Sequence, residues 1–225
     1  MQAPPGTPPR FLYLHGFASG PSSTKGVAFT DHFAARGLRI ERLDLRLPSL
    51  EHLRVSAGIA ATRAAIGDQQ DRAVLIGSSL GGLTAARVAA LDARVCALVL
   101  MAPAFCLSER WRARLGEAGF ARWRDSGWLE IDDFATREKA RVDFGFYEDA
   151  AALDRSDGGC PDLRVPTLIV HGRFDQIVDV ELSRAFAADR RHVRLVELDD
   201  RHELTATVPQ ILNAAEELLR PFLGT

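Results

Sequence analysis

The chain has 225 residues, of which 47% are hydrophobic and 26% charged, with three cysteines and a formal net charge of -2. This length suits one domain with at most an inserted lobe, and the composition is that of a globular protein. The near-neutral balance gives no electrostatic reason to expect nucleic acid or an anionic membrane as partner, and no run of about 18 apolar residues is present to span a bilayer.

The start, "MQAPPGTPPR", is proline-rich with no apolar h-region, so residues 1–9 are expected to form a short disordered lead-in and not a signal peptide. "FLYLH" (residues 11–15) reads as a strand, and a helix is expected over residues 25–36. Between them lies a loop of glycine, serine, threonine and one lysine. A phosphate-cradling P-loop needs G-x-x-x-x-G-K-[ST], with a glycine directly before the lysine. Here Thr24 stands in that place and Gly26 follows Lys25, so the match fails. The other reading is an oxyanion loop, in which the turn His15-Gly16-Phe17 frees a backbone N–H to point at an ester oxygen.

"LRIERLDL" (residues 38–45) is the second strand, and residues 49–66 form a helix with Ser49 as N-cap. "AVLIG" (residues 73–77) is short and wholly apolar, as a strand covered on both faces should be. An alanine-rich helix over 80–91 and strands over 95–101 and 166–172 follow. A helix over 181–188, a strand over 193–198 and an amphipathic helix over 205–222 close the chain. Alternation of this kind predicts an α/β protein with a doubly wound, mostly parallel six-stranded sheet.

One stretch breaks the rhythm. Roughly 60 residues separate the strands ending at Met101 and starting near Thr167, far more than a usual crossover. They hold all three tryptophans, Trp111, Trp123 and Trp128, and six further aromatics. The expected organisation is therefore a core of residues 10–104 and 163–225 with a helical cap insertion at 105–162. The cap tryptophans are candidate substrate-binding residues. Its arginines at 110, 112, 114, 122 and 124 are interleaved with Glu109, Glu117 and Asp125, which fits a solvated helical face or a guide for anionic substrates such as acyl-CoA.

The chemistry begins where the third strand runs into "GSSLGG" (residues 77–82). This contains G-x-S-x-G and places Ser79 at a strand-to-helix elbow, where small residues two places either side are needed to avoid clashes around a strained serine. Ser78 is the alternative nucleophile but lacks that register. A serine hydroxyl is a poor nucleophile until a base takes its proton, and the base needs an acid to orient it. Asp175 follows the apolar strand in "HGRFDQIV", and His202 follows the next strand in "DDRHEL", giving the chain order Ser, Asp, His. Asp179 is the rival acid. Each group lands at the C-terminal end of a different parallel strand, the edge at which such sheets hold ligands. The backbone N–H groups of Phe17 and Leu80 are the expected oxyanion donors. Lys25 then starts a helix over the loop, with a structural role or a role in gating an anionic substrate. Cys96, Cys106 and Cys160 have neither C-x-x-C nor metal-ligand spacing, so reduced thiols in a cytoplasmic protein are expected, with no metal and no cofactor.

"YLHGF" with "SGPSSTK", then "GSSLGG", resembles the α/β-hydrolase superfamily and is similar to the small esterases of the YqiA-like group and related acyl-thioesterases. The likeness covers roughly residues 10–104 and 163–222. It departs in its longer aromatic insertion and in Asp200-Arg201, where a glycine often precedes the histidine. The resemblance implies hydrolysis of a small-molecule carboxylic ester or thioester through an acyl-serine intermediate. A peptidase or C–C bond hydrolase using the same three residues, or a non-catalytic receptor on the same fold, are the alternatives.

Overall fold

The computed structural model describes residues 8–223. The lead-in expected over residues 1–9 lies, through residue 7, outside the described residues. Six parallel strands form one sheet: β1 (Arg10–Leu14), β2 (Ile40–Leu43), β3 (Ala73–Ser78), β4 (Val95–Met101), β7 (Thr167–Gly172) and β8 (Val193–Leu198), in the order β2-β1-β3-β4-β7-β8. The chain first winds outward from β1 to β2, then crosses back to β3 and continues to the other edge. The order thus reverses between β1 and β3, which is where an open α/β sheet leaves a crevice at its carboxyl end.

β3 and β7 are buried at every position and β4 at all but one, matching their unbroken apolar runs. The edge strands are short or carry charge: β2 has Glu41 and Arg42, β8 has Arg194 and Glu197. Such residues protect an edge from pairing with another chain. One face of the sheet is covered by α1 (Thr24–Ala34) and α7 (Val208–Leu219). α1 contributes Phe29 and Phe33, and α7 contributes Ile211, Leu212, Ala215 and Leu219, which share one stripe at helical spacing. The other face carries α2 (Val55–Ile66), α3 (Leu80–Leu91) and α6 (Val180–Ala188). No helix among the described residues is long and apolar enough to cross a membrane.

Several elements differ in extent from their sequence reading: β2 is shorter than residues 38–45, and α1 ends at Ala34 and not at residue 36. α2 begins at Val55, not at residue 49. Ser49 is not its cap: its Oγ accepts from the His52 N–H at 3.2 Å and closes a turn. The helix start is held from a distance by Asp149, whose carboxylate accepts from the Ser56 N–H at 3.0 Å. The last helix is likewise shorter than residues 205–222, with a 3₁₀ turn at Arg220–Phe222 after it.

The insertion contains α4 (Leu107–Ser126), α5 (Gly145–Asp157) and, between them, an antiparallel hairpin of β5 (Trp128–Asp133) and β6 (Glu138–Asp143). The helical cap expected from the sequence did not include this hairpin, yet its alternation is there to be read. Leu129 and Ile131 face Val142 and Ala140, while charged residues take the intervening positions. α4 kinks at Gly116, whose φ of 63° is one that side chains rarely adopt.

The two ends of the insertion meet. The Cys106 N–H donates to Gly159 O at 2.9 Å, and the Cys106 and Cys160 sulfurs lie 3.9 Å apart as free thiols. Arg87 of α3, almost fully buried, binds Asp154 and Asp157 of α5 at 2.6 and 2.8 Å. Trp123, Val142, Phe146 and Ala150 belong to the same apolar cluster as Leu80 and Leu83. The insertion therefore shares the core of the sheet.

Candidate active site

β3 ends at Ser78 and α3 begins at Leu80. Ser79 between them has φ 53° and ψ -113°, a conformation costing about 1–3 kcal/mol for a non-glycine residue. Its neighbours must be small. A Cβ on Gly77 would stand 2.4 Å from Gly81 O, and one on Gly81 would stand 2.2 Å from Leu14 O. The strained serine is held by its own backbone: its N–H donates to Met101 O at 2.8 Å, and its carbonyl accepts from the Ala104 N–H at 3.1 Å. Ser78 stays in the strand ladder opposite Met101.

His202 and Asp175 arrive from the ends of β8 and β7. The Ser79 hydroxyl donates to His202 Nε2 at 3.0 Å, and His202 Nδ1–H donates to Asp175 Oδ2 at 2.7 Å. A carboxylate can only accept, so the Nδ1 proton fixes the tautomer and leaves Nε2 bare to face the serine. Asp175 Oδ1 accepts from the N–H groups of Ile177 and Val178 at 2.8 and 2.9 Å. Burial opposes its charge, but hydrogen bonds from His171, His202 and Val178 outweigh that, and its pKa lies well below the usual carboxylate range. The loop bearing His202 is shaped by Asp200, which accepts from the Arg201 N–H at 2.7 Å and from the Thr207 N–H and hydroxyl at 3.0 and 2.9 Å. Asp179, the rival, has no hydrogen bond to His202. It is the N-cap of α6 and accepts from the Glu181 N–H at 3.0 Å.

His171 escaped the sequence reading as a functional residue. It is fully buried, and its Nε2–H reaches both Asp175 Oδ2 at 3.1 Å and Val178 O at 3.0 Å. Its Nδ1 accepts from the Ser183 hydroxyl at 2.7 Å. One carboxylate oxygen thus serves two imidazoles. A histidine four residues before a candidate acid, at the end of an apolar strand, was the available signal.

The loop after β1 runs beside the elbow because β1 pairs with β3. A Cβ on Gly16 would lie 3.5 Å from that of Ser79, so the Gly16-Phe17 backbone passes directly over the serine. Its shape is set by His15, buried and neutral. Nδ1–H donates to Gly16 O at 2.8 Å, Nε2 accepts from the Leu45 N–H at 3.0 Å, and burial pushes its pKa down. The Leu80 N–H is the first of α3 and has no intrahelical partner. From above, the hairpin tip docks on the same loop, with the Phe134 N–H donating to Ala18 O at 2.8 Å. Ala18, Ser79, Ala102, Cys106 and Leu204 all have positive φ, so backbone strain gathers around this edge. Lys25 stands in α1 as expected, with Nζ on the Glu203 carbonyl, and burial lowers its pKa to about 8.

These groups open into a cleft of about 970 Å³ that contains Ser79, His202, Phe17 and Leu80 and is walled by Leu107, Trp111, Leu115, Leu129, Ile131 and Ile177. Of the three tryptophans expected over the site, only Trp111 lines it. Trp123 is corrected: it is 1% exposed, donates Nε1–H to Val142 O at 3.2 Å and packs among Trp111, Phe144, Phe146 and Tyr147. Trp128 is corrected too. It starts β5 on the outer side, under the Arg141 guanidinium and beside His52, along a separate shallow depression.

A sequence model of an uncharacterised protein family, UPF0227, matches residues 10–219. No curated protein matches the chain by sequence. Among solved structures, a putative hydrolase from Agrobacterium vitis S4 is 23% identical and superimposes with a TM-score of 0.80, over 99% of this chain and 91% of that one. Est1E from Butyrivibrio proteoclasticus, with ferulic acid bound, is 21% identical with a TM-score of 0.80, over 100% and 94%. A monoacylglycerol lipase from Paleococcus ferrophilus is 17% identical with a TM-score of 0.77, over 96% of each chain. At these identities the likeness is one of fold, that of the α/β hydrolases.

Proposed function

The chain belongs to the uncharacterised protein family UPF0227, and from that membership and its α/β-hydrolase fold we propose that it is a serine hydrolase of small carboxylic esters or thioesters. The observation that carries the reading is the hydrogen-bonded chain from Ser79 Oγ through His202 to Asp175, at 3.0 and 2.7 Å.

Ser79 Oγ attacks the carbonyl carbon while His202 Nε2 takes its proton, and Asp175 stabilises the imidazolium that forms. The carbonyl oxygen becomes an oxyanion between the N–H groups of Phe17 and Leu80. Donors fixed in advance are the largest stabilising effect in acyl transfer, since no reorganisation is needed as charge develops. The tetrahedral intermediate collapses, and His202 gives its proton to the departing alcohol or thiol. Water, deprotonated by His202, then attacks the acyl-serine, and collapse of this second intermediate frees the acid and restores Ser79. The apolar wall of the cleft takes the acyl chain, each buried CH₂ contributing about 0.8 kcal/mol. Residues 105–162 act as a cap that shelters these steps from water. The free thiols support a reducing setting such as the cytoplasm.

A serine-directed fluorophosphonate tests the assignment. It is expected to label Ser79, and Ser79→Ala to lose about 10³-fold or more in kcat while melting close to the wild type. Label mapped to Ser78 would sink the elbow assignment.

A further inference from the structure

Five cationic side chains line the cleft: Lys25, Arg46, Arg110, Arg114 and Arg137. Arg46 is paired, holding Asp44 through two bonds of 3.1 Å. Among the described residues the other four have no carboxylate within ion-pair distance. Lys25 Nζ and Arg110 Nη2 rest on the backbone carbonyls of Glu203 and Ile177, and Arg114 lies over the Trp111 ring. Three acids line the cleft with them, Glu130, Asp132 and Glu203, and Lys139 bridges the first two at 3.7 and 2.7 Å. Asp175 and Asp200 also face Lys25, and Asp175 faces Arg110, but none of these acids comes within ion-pair distance of the four cations.

The placement says more than the count. Lys25 is bonded to the residue after His202, and Arg110 to the second residue after Asp175, so both stand on the histidine–acid side of Ser79. That is the side on which the leaving group must lie, because His202 Nε2 hands it a proton. Arg110 is half-buried, and a cation partly withdrawn from water is stabilised by an anion brought to it. Resting on the hydrolase reading above, we propose that the substrate's leaving alcohol or thiol carries an anionic group, a carboxylate or a phosphate, bound by Lys25 and Arg110 with Arg114 and Arg137 drawing it in.

The test uses the full chain and two chromogenic butyrates, one of a nitrophenol bearing a ring carboxylate and one bearing a ring carboxamide. Each kcat/KM is divided by the ester's rate with hydroxide, which removes leaving-group reactivity. The carboxylate is expected to be preferred at least about 10-fold near 20 mM salt, chiefly through KM, with the preference shrinking toward about 500 mM as screening grows. Lys25→Gln and Arg110→Gln should each lower that ratio several-fold, the ratio being taken within one variant so that any general damage cancels. Arg110→Lys, which keeps the charge, should retain most of it. Butyryl glycerol phosphate against monobutyrin reads the phosphate arm in the same way. Equal, salt-insensitive rates for charged and neutral members of both pairs would overturn the anion assignment and leave the hydrolase standing. Failure to cleave any ester, charged or neutral, together with no fluorophosphonate label on Ser79, would overturn both.

Discussion

Asp175→Asn separates an orienting acid from a merely buried polar residue. The Asp175 Oδ1 position is pinned by the N–H groups of Ile177 and Val178 at 2.8 and 2.9 Å, so asparagine must keep its carbonyl oxygen there. Its NH₂ then takes the place of Oδ2 and points at His202 Nδ1 and His171 Nε2. His202 responds by moving its proton to Nε2, where it faces Ser79 and can no longer accept the hydroxyl's hydrogen. Restoring the productive tautomer sets the His202 Nδ1–H against the asparagine NH₂ and leaves both donors unsatisfied, while His171 Nε2–H keeps Val178 O. At about 1–3 kcal/mol for each unsatisfied group, this costs about 2–6 kcal/mol. With the imidazolium also deprived of its counter-charge, kcat should fall about 10³- to 10⁴-fold while KM changes little. The assay is steady-state turnover of a neutral butyrate ester, with melting and circular dichroism to show that the fold persists. Asp179→Asn is the control and should cost almost nothing in kcat, since it touches only the start of α6. A wild-type rate in folded Asp175→Asn, or a larger loss from Asp179→Asn, would refute the assignment.

His171 acts through Asp175, so His171→Gln should lower kcat more than it alters KM. The carboxylate that orients His202 is then held by one donor fewer; a lower melting temperature with kcat unchanged would mean a purely structural role. Trp123→Ala should cost about 3–5 kcal/mol, hence roughly 6–20 °C in melting temperature, and reduce turnover of all acyl chain lengths alike. Trp111→Ala should instead flatten the rise of kcat/KM from acetyl to medium chains. Lys25, with its pKa near 8, should lose its charge as the pH climbs through that value. Preference for the anionic ester should decline there, with Glu203, Asp200 and Asp175 as the charges facing it. The same depression makes the folded state bind the Lys25 proton less tightly than the unfolded chain, so this residue's contribution to stability improves from pH about 8 upward to its ordinary titration range.

Local order was legible in the sequence wherever one physical rule governed a segment. Unbroken apolar runs such as 73–77 and 95–101 could only be strands covered on both faces, and their alternation with helical stretches implied the parallel sheet. The need for glycine at Gly77 could be understood without a distant partner, because the clash a Cβ would cause there is with Gly81, four residues on, whereas at Gly81 the clash is with Leu14 of β1. Ser79, Asp175 and His202 were placed by the same logic, each at the end of its own strand. What escaped depended on contacts between distant segments. Ser49 looked like a helix cap, but the start of α2 is satisfied by Asp149, 93 residues further on than Ser56. The three tryptophans were alike as letters; only packing sent Trp123 into the core and Trp128 to the outer side, leaving Trp111 at the cleft. His171 acquired its carboxylate contact from the turn that follows β7, and the cations of the cleft, on α1, α4 and the hairpin tip, became neighbours only when the chain folded. A side chain's propensity is written in its neighbours along the chain, whereas its partner is chosen by the fold.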